Sequence, residues 1–323
     1  MPRNVNWSNM GKRFLISRLS ALGDVVCSLP VASALKNAFP DCEITWVCDP
    51  RFSAIVERCD AVDHVIKIKP GFSPKSWGYF EGNFDAALDL QGLLKSALPV
   101  AKCKAKIKVG YHWQREGAWL FSHRVLPDPT SFHIVDQYVD VARAVGGISN
   151  GAEFSLAPTE EDFASLQGKK ADYNLSENYV VLNAGAGWVT KRWPAQHFAR
   201  LADHLAEIGL QSVLIGGKAE ADIAAGNEVT AQSNNGIINL IGKTNLGELL
   251  ALIHGCVAHV GGDTGSTHMA AALNRPAIGL YSITRPQRSC PYGQICNCLH
   301  DPDGLANISV DSVLETLRAT IGK

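Results

Sequence analysis

The strongest chemical signal in this chain is a glycine-rich stretch, GGDTGSTHMAAALNRPAIGLY, at residues 261–281. An apolar segment at 256–260 precedes it and small residues at 269–273 lie within it, a pattern that predicts strand, loop, helix and strand. Glycines let the backbone approach a ligand closely, and the first N–H groups of a helix have no partner inside the helix, so these donors suit a phosphate. On the residues alone, Asp263 could instead be a helix cap and His268 a packed helix residue.

A carboxylate occupies a comparable place near the start of the chain. Residues 13–17, RFLIS, are a buried-strand pattern, and the next helical pattern contains Pro30, which favours the first turn of a helix. This predicts that Gly23 and Asp24 lie in the turn at the carboxyl end of the strand. Open α/β sheets bind ligands at that end. Asp24 is therefore a candidate for chemistry, with capping of the first helix as the alternative.

The elements that must position these residues alternate between strand and helix. The alternation runs through the first half, weakens over 150–177, and restarts with a strand at 179–183. A chain of 323 residues is long for one hydrophobic core. We therefore predict an α/β fold of two Rossmann-like, doubly wound domains that face a cleft, at 1–160 and 161–323. The terminal helix at 311–321 is assigned to the second domain, with packing back on the first as an alternative.

Composition excludes several classes of protein. No apolar run approaches the roughly 20 residues of a membrane span, and the polar N-terminus does not resemble a signal peptide, so we expect a cytoplasmic protein. A net charge of −1 argues against nucleic-acid binding. No Gly-x-Gly-x-x-Gly follows the first strand, which disfavours a dehydrogenase. The cluster of Cys290, Cys296, Cys298 and His300 lacks the paired spacing of structural zinc sites.

Five stretches together resemble the family 9 glycosyltransferases. They are SALGDVVCSLP at 20–30, DLQGLLKSA at 89–97, HIVDQY at 133–138, TKRWP at 190–194 and the stretch at 261–281. The resemblance spans most of the chain, and the last stretch is the most specific to the family. It implies the GT-B architecture of two facing domains. The stretches at 89–97 and 133–138 favour the members that act next to Kdo over other heptosyltransferases.

The resemblance also implies a reaction and its partners. The reaction is an inverting transfer of heptose from ADP-heptose to the Kdo-lipid A inner core of lipopolysaccharide, with no cofactor and no metal. The protein would be peripheral to the cytoplasmic face of the inner membrane and touch that membrane transiently. Two alternatives stay open, a family 9 enzyme with another acceptor or nucleotide sugar, and a nucleotide-sugar-binding protein without catalysis.

Residue roles follow from that reaction. Asp24 would be the general base, and Lys191 would neutralise the departing diphosphate, since leaving-group charge grows in the transition state. For the ribose, Glu220 is the candidate partner and Asp222 competes with it. The residues assigned to nucleotide-sugar binding are Gly187, Thr190, Lys191, Glu220, Asp263, Thr264, Gly265 and His268.

Basic residues in the first half suggest where an anionic acceptor binds. Lys102, Lys104, Lys106 and Lys108 alternate with small and apolar residues, which at strand period places their ammonium groups on one face. They would either attract an anionic lipid or guard an exposed edge strand against pairing. The residues assigned to acceptor binding are Gln91, Lys95, Lys102, Lys104, Lys106 and Arg115.

Overall fold

The computed structural model describes residues 11–71, 77–185 and 192–322. They divide into two compact units, one that ends at Leu156 and one that begins at Ala157, where the sequence prediction puts the boundary after residue 160. Each unit contains one six-stranded parallel sheet with helices packed on it. The predicted α/β fold class is therefore confirmed.

The first unit is built on a sheet in which the first strand is central. Its strands are β1 (Arg13–Ser17), β2 (Glu43–Cys48), β3 (His64–Lys67), β4 (Phe84–Asp89), β5 (Ala105–Tyr111) and β6 (His123–Val125). Its helices are α1 (Leu22–Ser28), α2 (Pro30–Ala38), α3 (Ser53–Val56), α4 (Leu94–Lys102) and α5 (Ile134–Arg143). The strand order is β3-β2-β1-β4-β5-β6. The chain thus reverses its direction across the sheet between β1 and β4, which is where doubly wound folds bind ligands.

The second unit repeats this arrangement. Its strands are β7 (Tyr179–Asn183), β8 (Gln211–Ile215), β9 (Ile238–Asn239), β10 (Ala258–Gly262), β11 (Ala277–Tyr281) and β12 (Cys298–His300). Its helices are α6 (Glu160–Asp172), α7 (Ala195–Glu207), α8 (Glu220–Gln232), α9 (Leu246–Gly255), α10 (Gly265–Ala272), α11 (Pro286–Ser289) and α12 (Val310–Ile321). The order β12-β11-β10-β7-β8-β9 puts β7 in the position that β1 has in the first unit. The reversal here lies between β7 and β10.

The central strands form because their residues are apolar on both faces and helices cover both faces. β1 and β7 are each a run of apolar residues that is almost wholly buried. The terminal helix α12 buries Val313, Leu314 and Leu317 in the core of the second unit, where α7 contributes Leu201 and Leu205. Within the described part of the chain, no helix has the length and apolar character needed to cross a bilayer.

Two local predictions are wrong. Asp24 does not lie in a turn, because residues 22–28 form the helix α1, in which Val25 and Val26 are buried; Pro30 begins a second helix, α2. The four lysines do not share one strand face, because Lys102 ends the helix α4. β5 is not the terminal strand of its sheet, but β6 pairs only with Val109 and the two residues that follow, so among the described residues Lys106 and Lys108 lie where β5 pairs with β4 alone, and the alternative of guarding an exposed edge stays open.

Candidate active site

In the first unit, the polar residues at the carboxyl edge follow the two central strands. Asp24 lies in α1, just after β1, and its carboxylate is close to half exposed, at 44%. The Nη2 atom of Arg18 lies 2.8 Å from Asp24 Oδ2, and the Ala21 N–H lies 3.4 Å from the same oxygen. Among the described residues, Asp24 Oδ1 has no hydrogen-bond partner. One oxygen is therefore anchored, and the other is available to accept a proton from a substrate.

The turn after β4 lies beside this carboxylate. Asp89 is fully buried, and its Oδ1 accepts hydrogen bonds from the N–H groups of Gln91 and Gly92, both at 3.0 Å. Burial raises the pKa of Asp89, because an apolar environment penalises the charged form, although the Gly92 N–H opposes this. The turn presents the predicted acceptor residues. Gln91 donates to Ser20 Oγ at 3.3 Å, and Lys95 Nζ donates to the same oxygen at 2.9 Å.

The remaining predicted acceptor residues do not share one location. Arg115 is exposed, donates its backbone N–H to the Gly92 carbonyl at 2.7 Å and lies over the Trp113 ring, so it lies beside the same turn. Lys102, Lys104 and Lys106 instead lie near the start of β5, about 20 Å from the carboxyl edge at the usual rise per strand residue. Their role in acceptor binding stays a prediction, but its physical basis is long-range attraction and not contact beside Asp24.

Three glycine-rich loops of the second unit follow three neighbouring strands, β10, β7 and β8. After β10 the chain passes through Asp263 and Thr264 into α10, and the N–H groups of Gly265 and Ser266 have no acceptor among the described residues. Glycine fits closely at position 261, because a Cβ there would lie 3.0 Å from His259 Cε1 and 3.1 Å from Asn183 Cβ, and these side chains would have to shift to admit it. The loop therefore offers backbone donors that a phosphate oxygen can reach.

Uncharged side chains of β7 and β10 hold this loop in place through a network of hydrogen bonds. Asn183, at the end of β7, donates to Thr264 Oγ1 at 3.0 Å and to Ser266 Oγ at 2.7 Å. His259 Nε2 lies 2.9 Å from Ser266 Oγ. Burial, and to a smaller extent the neighbouring His268, lower the pKa of His259 to about 3, so the imidazole is neutral at physiological pH. The network fixes the loop without adding charge.

The predicted residues of this loop are brought together. His268 is buried, and its Nε2 lies 3.3 Å from Asp263 Oδ1, while Thr264 and Gly265 lie at the start of α10. Thr267, which the sequence analysis did not single out, donates to the Gly262 carbonyl at 2.6 Å and closes the turn. Neither it nor Asn183 carries a sequence signal other than its position after a buried strand.

Glu220 and Asp222, the two candidates for binding the ribose, both follow β8 and differ in their contacts. Asp222 accepts a hydrogen bond from the Gly217 N–H and forms an ion pair with Arg192, both at 3.1 Å. Glu220, the first residue of α8, is exposed and has no hydrogen bond or ion pair to any other described residue. Asp222 is thus engaged in holding the loop, which leaves Glu220 as the residue available to a ligand. Gly187, Thr190 and Lys191 lie outside the described residues.

No group of three or more His, Cys, Asp or Glu side chains in residues 11–71, 77–185 and 192–322 is arranged to hold a metal ion. What the two edges offer instead is a half-exposed carboxylate in one unit and a set of backbone donors in the other. Such groups are suited to proton transfer and to anion binding respectively.

Comparison with known proteins identifies the family. The model of glycosyltransferase family 9 (heptosyltransferase) matches residues 80–310, so the chain belongs to that family and is a glycosyltransferase. The chain is similar to the lipopolysaccharide core heptosyltransferase OpsX of Haemophilus influenzae, with 27% identity over 88% of this chain and 83% of the relative. It is also similar to lipopolysaccharide heptosyltransferase 1 of Escherichia coli, with 28% identity over 94% of this chain and 99% of the relative.

A solved structure extends the likeness to the fold. The structure of E. coli ADP-heptose lps heptosyltransferase II superposes with a TM-score of 0.79 at 25% identity, over 96% of this chain and 98% of that one. Heptosyltransferases numbered 2 and 3 match this chain at 28% and 26% identity, close to the value for type 1. Overall identity therefore does not distinguish which heptosyltransferase type this chain represents.

Proposed function

We propose that this family 9 glycosyltransferase transfers heptose from ADP-heptose to a Kdo-bearing lipid A acceptor in the inner core of lipopolysaccharide, with inversion at the sugar carbon. The observation that carries the proposal is the half-exposed Asp24 carboxylate at the carboxyl edge of the first sheet, anchored through one oxygen only. The sugar is inferred from the names of the similar proteins, and the reaction mechanism is inferred from the residues of this chain.

The proposed reaction is a single displacement. An acceptor hydroxyl attacks the anomeric carbon of heptose from the face opposite the diphosphate, and Asp24 Oδ1 takes the hydroxyl proton. The bond between the anomeric carbon and the diphosphate oxygen breaks, and ADP leaves with the electron pair. General-base catalysis of this kind contributes about 10²–10⁴-fold in rate. Inversion follows because only one displacement occurs.

The second unit would bind the donor. The free N–H groups of Gly265 and Ser266 at the start of α10 suit the diphosphate, whose charge grows as the sugar bond breaks. Lys191 would supply the positive charge that this chemistry needs, and Glu220 would accept hydrogen bonds from the ribose hydroxyls. We infer no metal requirement, because the backbone donors and Lys191 together can offset the diphosphate charge.

On the acceptor side, Gln91, Lys95 and Arg115 surround the turn after β4, beside Asp24. Two of the three are cations, which suits an anionic, phosphorylated lipid. Such a lipid lies in a membrane, so we propose that the protein works at the cytoplasmic face of the inner membrane as a peripheral protein. Lys102, Lys104 and Lys106 would add attraction at longer range.

The test is product analysis with the purified full-length protein. ADP-heptose is incubated with a Kdo-bearing lipid A, and in parallel with lipid A that lacks Kdo and with an acceptor that already carries heptose. We expect ADP release and a mass gain of one heptose with the Kdo-bearing acceptor only, and an inverted anomeric configuration by NMR. Transfer only to the acceptor that already carries heptose would instead identify another heptosyltransferase type. Binding of ADP-heptose without any transfer would indicate a nucleotide-sugar-binding protein.

A further inference from the structure

Arg18 is a buried cation at the carboxyl end of β1. It follows directly after Ser17 and is only 4% exposed. Burying a guanidinium costs free energy unless partners compensate for the water that it loses. The side chain meets groups from three other elements: the carboxylate of Asp24 in α1, the carbonyl of Leu90 after β4, and the ring of Tyr138 in α5.

These contacts use separate parts of the guanidinium. Nη2 lies 2.8 Å from Asp24 Oδ2, Nη1 donates to the Leu90 carbonyl, and the group lies 5.1 Å from the centre of the Tyr138 ring. The Nε atom is buried and has no hydrogen-bond partner among the described residues. The geometry here serves the two oxygens and leaves Nε unpaired.

Each of the two oxygens belongs to a part of the candidate active site. Asp24 is the proposed base, and Leu90 lies in the turn that presents Gln91. Gln91 in turn accepts a hydrogen bond from the Leu19 N–H at 3.0 Å, so the segment next to Arg18 is tied to the same turn. Arg18 therefore connects the carboxylate that takes the proton with the turn beside which the acceptor would bind.

We propose that Arg18 is a positioning residue for the transfer reaction. It fixes the position of Asp24 Oδ2 relative to the turn after β4, so that Oδ1 points to the acceptor hydroxyl. This inference rests on the proposed role of Asp24 as the base. A lysine would keep the positive charge but not the planar fork, which reaches two separated acceptors from fixed directions, so we expect Arg18→Lys to position Asp24 less well.

The test compares three full-length variants in the transfer assay with ADP-heptose and Kdo-bearing lipid A. Arg18→Ala should lower kcat by about 10²-fold, the size expected when a reacting group is misplaced by about 1 Å. The donor KM should not change, because the donor residues lie on other strands. Arg18→Lys should also lose most of the turnover. Arg143→Ala is the matched control, since Arg143 pairs with Asp140 at 2.8 Å in the same unit and takes no part in the site.

Two further readouts separate positioning from stability. Guanidinium chloride at millimolar concentration should restore part of the turnover of Arg18→Ala, with equal sodium chloride as the control, and should leave Arg143→Ala unchanged. Adding Arg18→Ala to Asp24→Asn should cause no further loss of turnover, because Arg18 acts through Asp24. If Arg18→Ala does not fold, Arg18→Lys carries the test alone and is also combined with Asp24→Asn.

The outcomes distinguish this inference from the proposed function. Full turnover in folded Arg18→Lys and Arg18→Ala would overturn the positioning role while leaving the transfer reaction intact. A loss of turnover that only follows a lower melting temperature, with no response to guanidinium and an additive double variant, would overturn it as well. Absence of transfer by the wild-type protein would instead overturn the proposed function itself.

Discussion

The two units have the same strand order, but their carboxyl edges present different chemical groups. In the first unit the edge is charged, with Asp24 held by the buried Arg18 and Lys95 close by. In the second unit the loop after β10 offers backbone N–H groups, and a neutral network around Asn183 and His259 holds it in place. One sheet topology can therefore present a charged side chain or a set of backbone donors, and the residues that follow the strands decide which.

The largest effect is expected when the charge is removed from the carboxyl edge of the first unit. Asp24→Asn keeps the side-chain volume but removes the basic oxygen, so we expect turnover to fall by about 10²–10⁴-fold. A lower melting temperature is also expected, because the buried Arg18 loses its counter-charge, although the asparagine oxygen can still accept a hydrogen bond from it. Steady-state kinetics and thermal melting measure the two quantities. A lower melting temperature with near-normal turnover would mean that Asp24 only stabilises α1.

The second change removes the cation proposed for the donor side. Lys191→Ala should weaken ADP binding and lower turnover, each by about 10–10²-fold, the usual size for a hydrogen bond to a charged group. The acceptor KM should stay constant. Calorimetry with ADP and acceptor kinetics check both statements, and Lys218→Ala, a lysine of the neighbouring loop, is the control. Unchanged ADP affinity would remove Lys191 from the donor site.

The third prediction concerns pH and the neutral network. The pKa of His259 is about 3 when folded and near 6.5 when unfolded, so the unfolded chain binds more protons between these values. The contribution of His259 to the free energy of unfolding is therefore fully present above pH 6.5. It falls as the pH drops, by about 2 kcal/mol between pH 7 and pH 5. Thermal melting across this range measures the loss. His259→Gln should flatten the dependence, and an equally steep dependence in that variant would assign it to other groups.

The smallest effect is expected for the lysines at the far end of the first unit. Replacing Lys102, Lys104 and Lys106 together by Gln should raise the acceptor KM by less than about fivefold, since exposed charges contribute at most about 1 kcal/mol. The wild-type acceptor KM should rise with added salt, because salt largely screens the attraction between exposed charges more than about 8–10 Å apart at physiological ionic strength. The triple variant should be less sensitive to salt. A large rise in acceptor KM would show direct contact, contrary to their placement.

Sequence reasoning succeeded where burial makes a pattern continuous. The strands β1 and β7 were predicted with the bounds that the structure shows, because both faces of each strand are covered by helices and the central residues are apolar. The strands β6 and β12 were missed, since three residues at the edge of a sheet carry no period. Helix α1 was missed because its preceding residue, Ala21, gives no capping signal and Pro30 suggested a later start.

The candidate site divides in the same way. Asp24 and the loop at 261–268 were found because each follows a buried strand, and the glycines of the loop mark a close approach of backbone. Arg18 and Asn183 were not found. Nothing local distinguishes a buried arginine from an exposed one, because its burial depends on Tyr138 and Leu90, which are distant in sequence. Such residues can be identified as part of the site from the packing of the folded chain, and not from their spacing in the sequence.

We have proposed that proton transfer belongs to the first unit and donor binding to the second. The most direct test is a calorimetric titration of ADP into three full-length proteins: wild type, Asp24→Asn and His268→Ala. We expect Asp24→Asn to bind ADP with the wild-type Kd, whereas His268→Ala, altered beside Asp263 at the start of α10, should bind it at least about tenfold more weakly. A Kd that rises as much in Asp24→Asn as in His268→Ala would contradict the division between the two units.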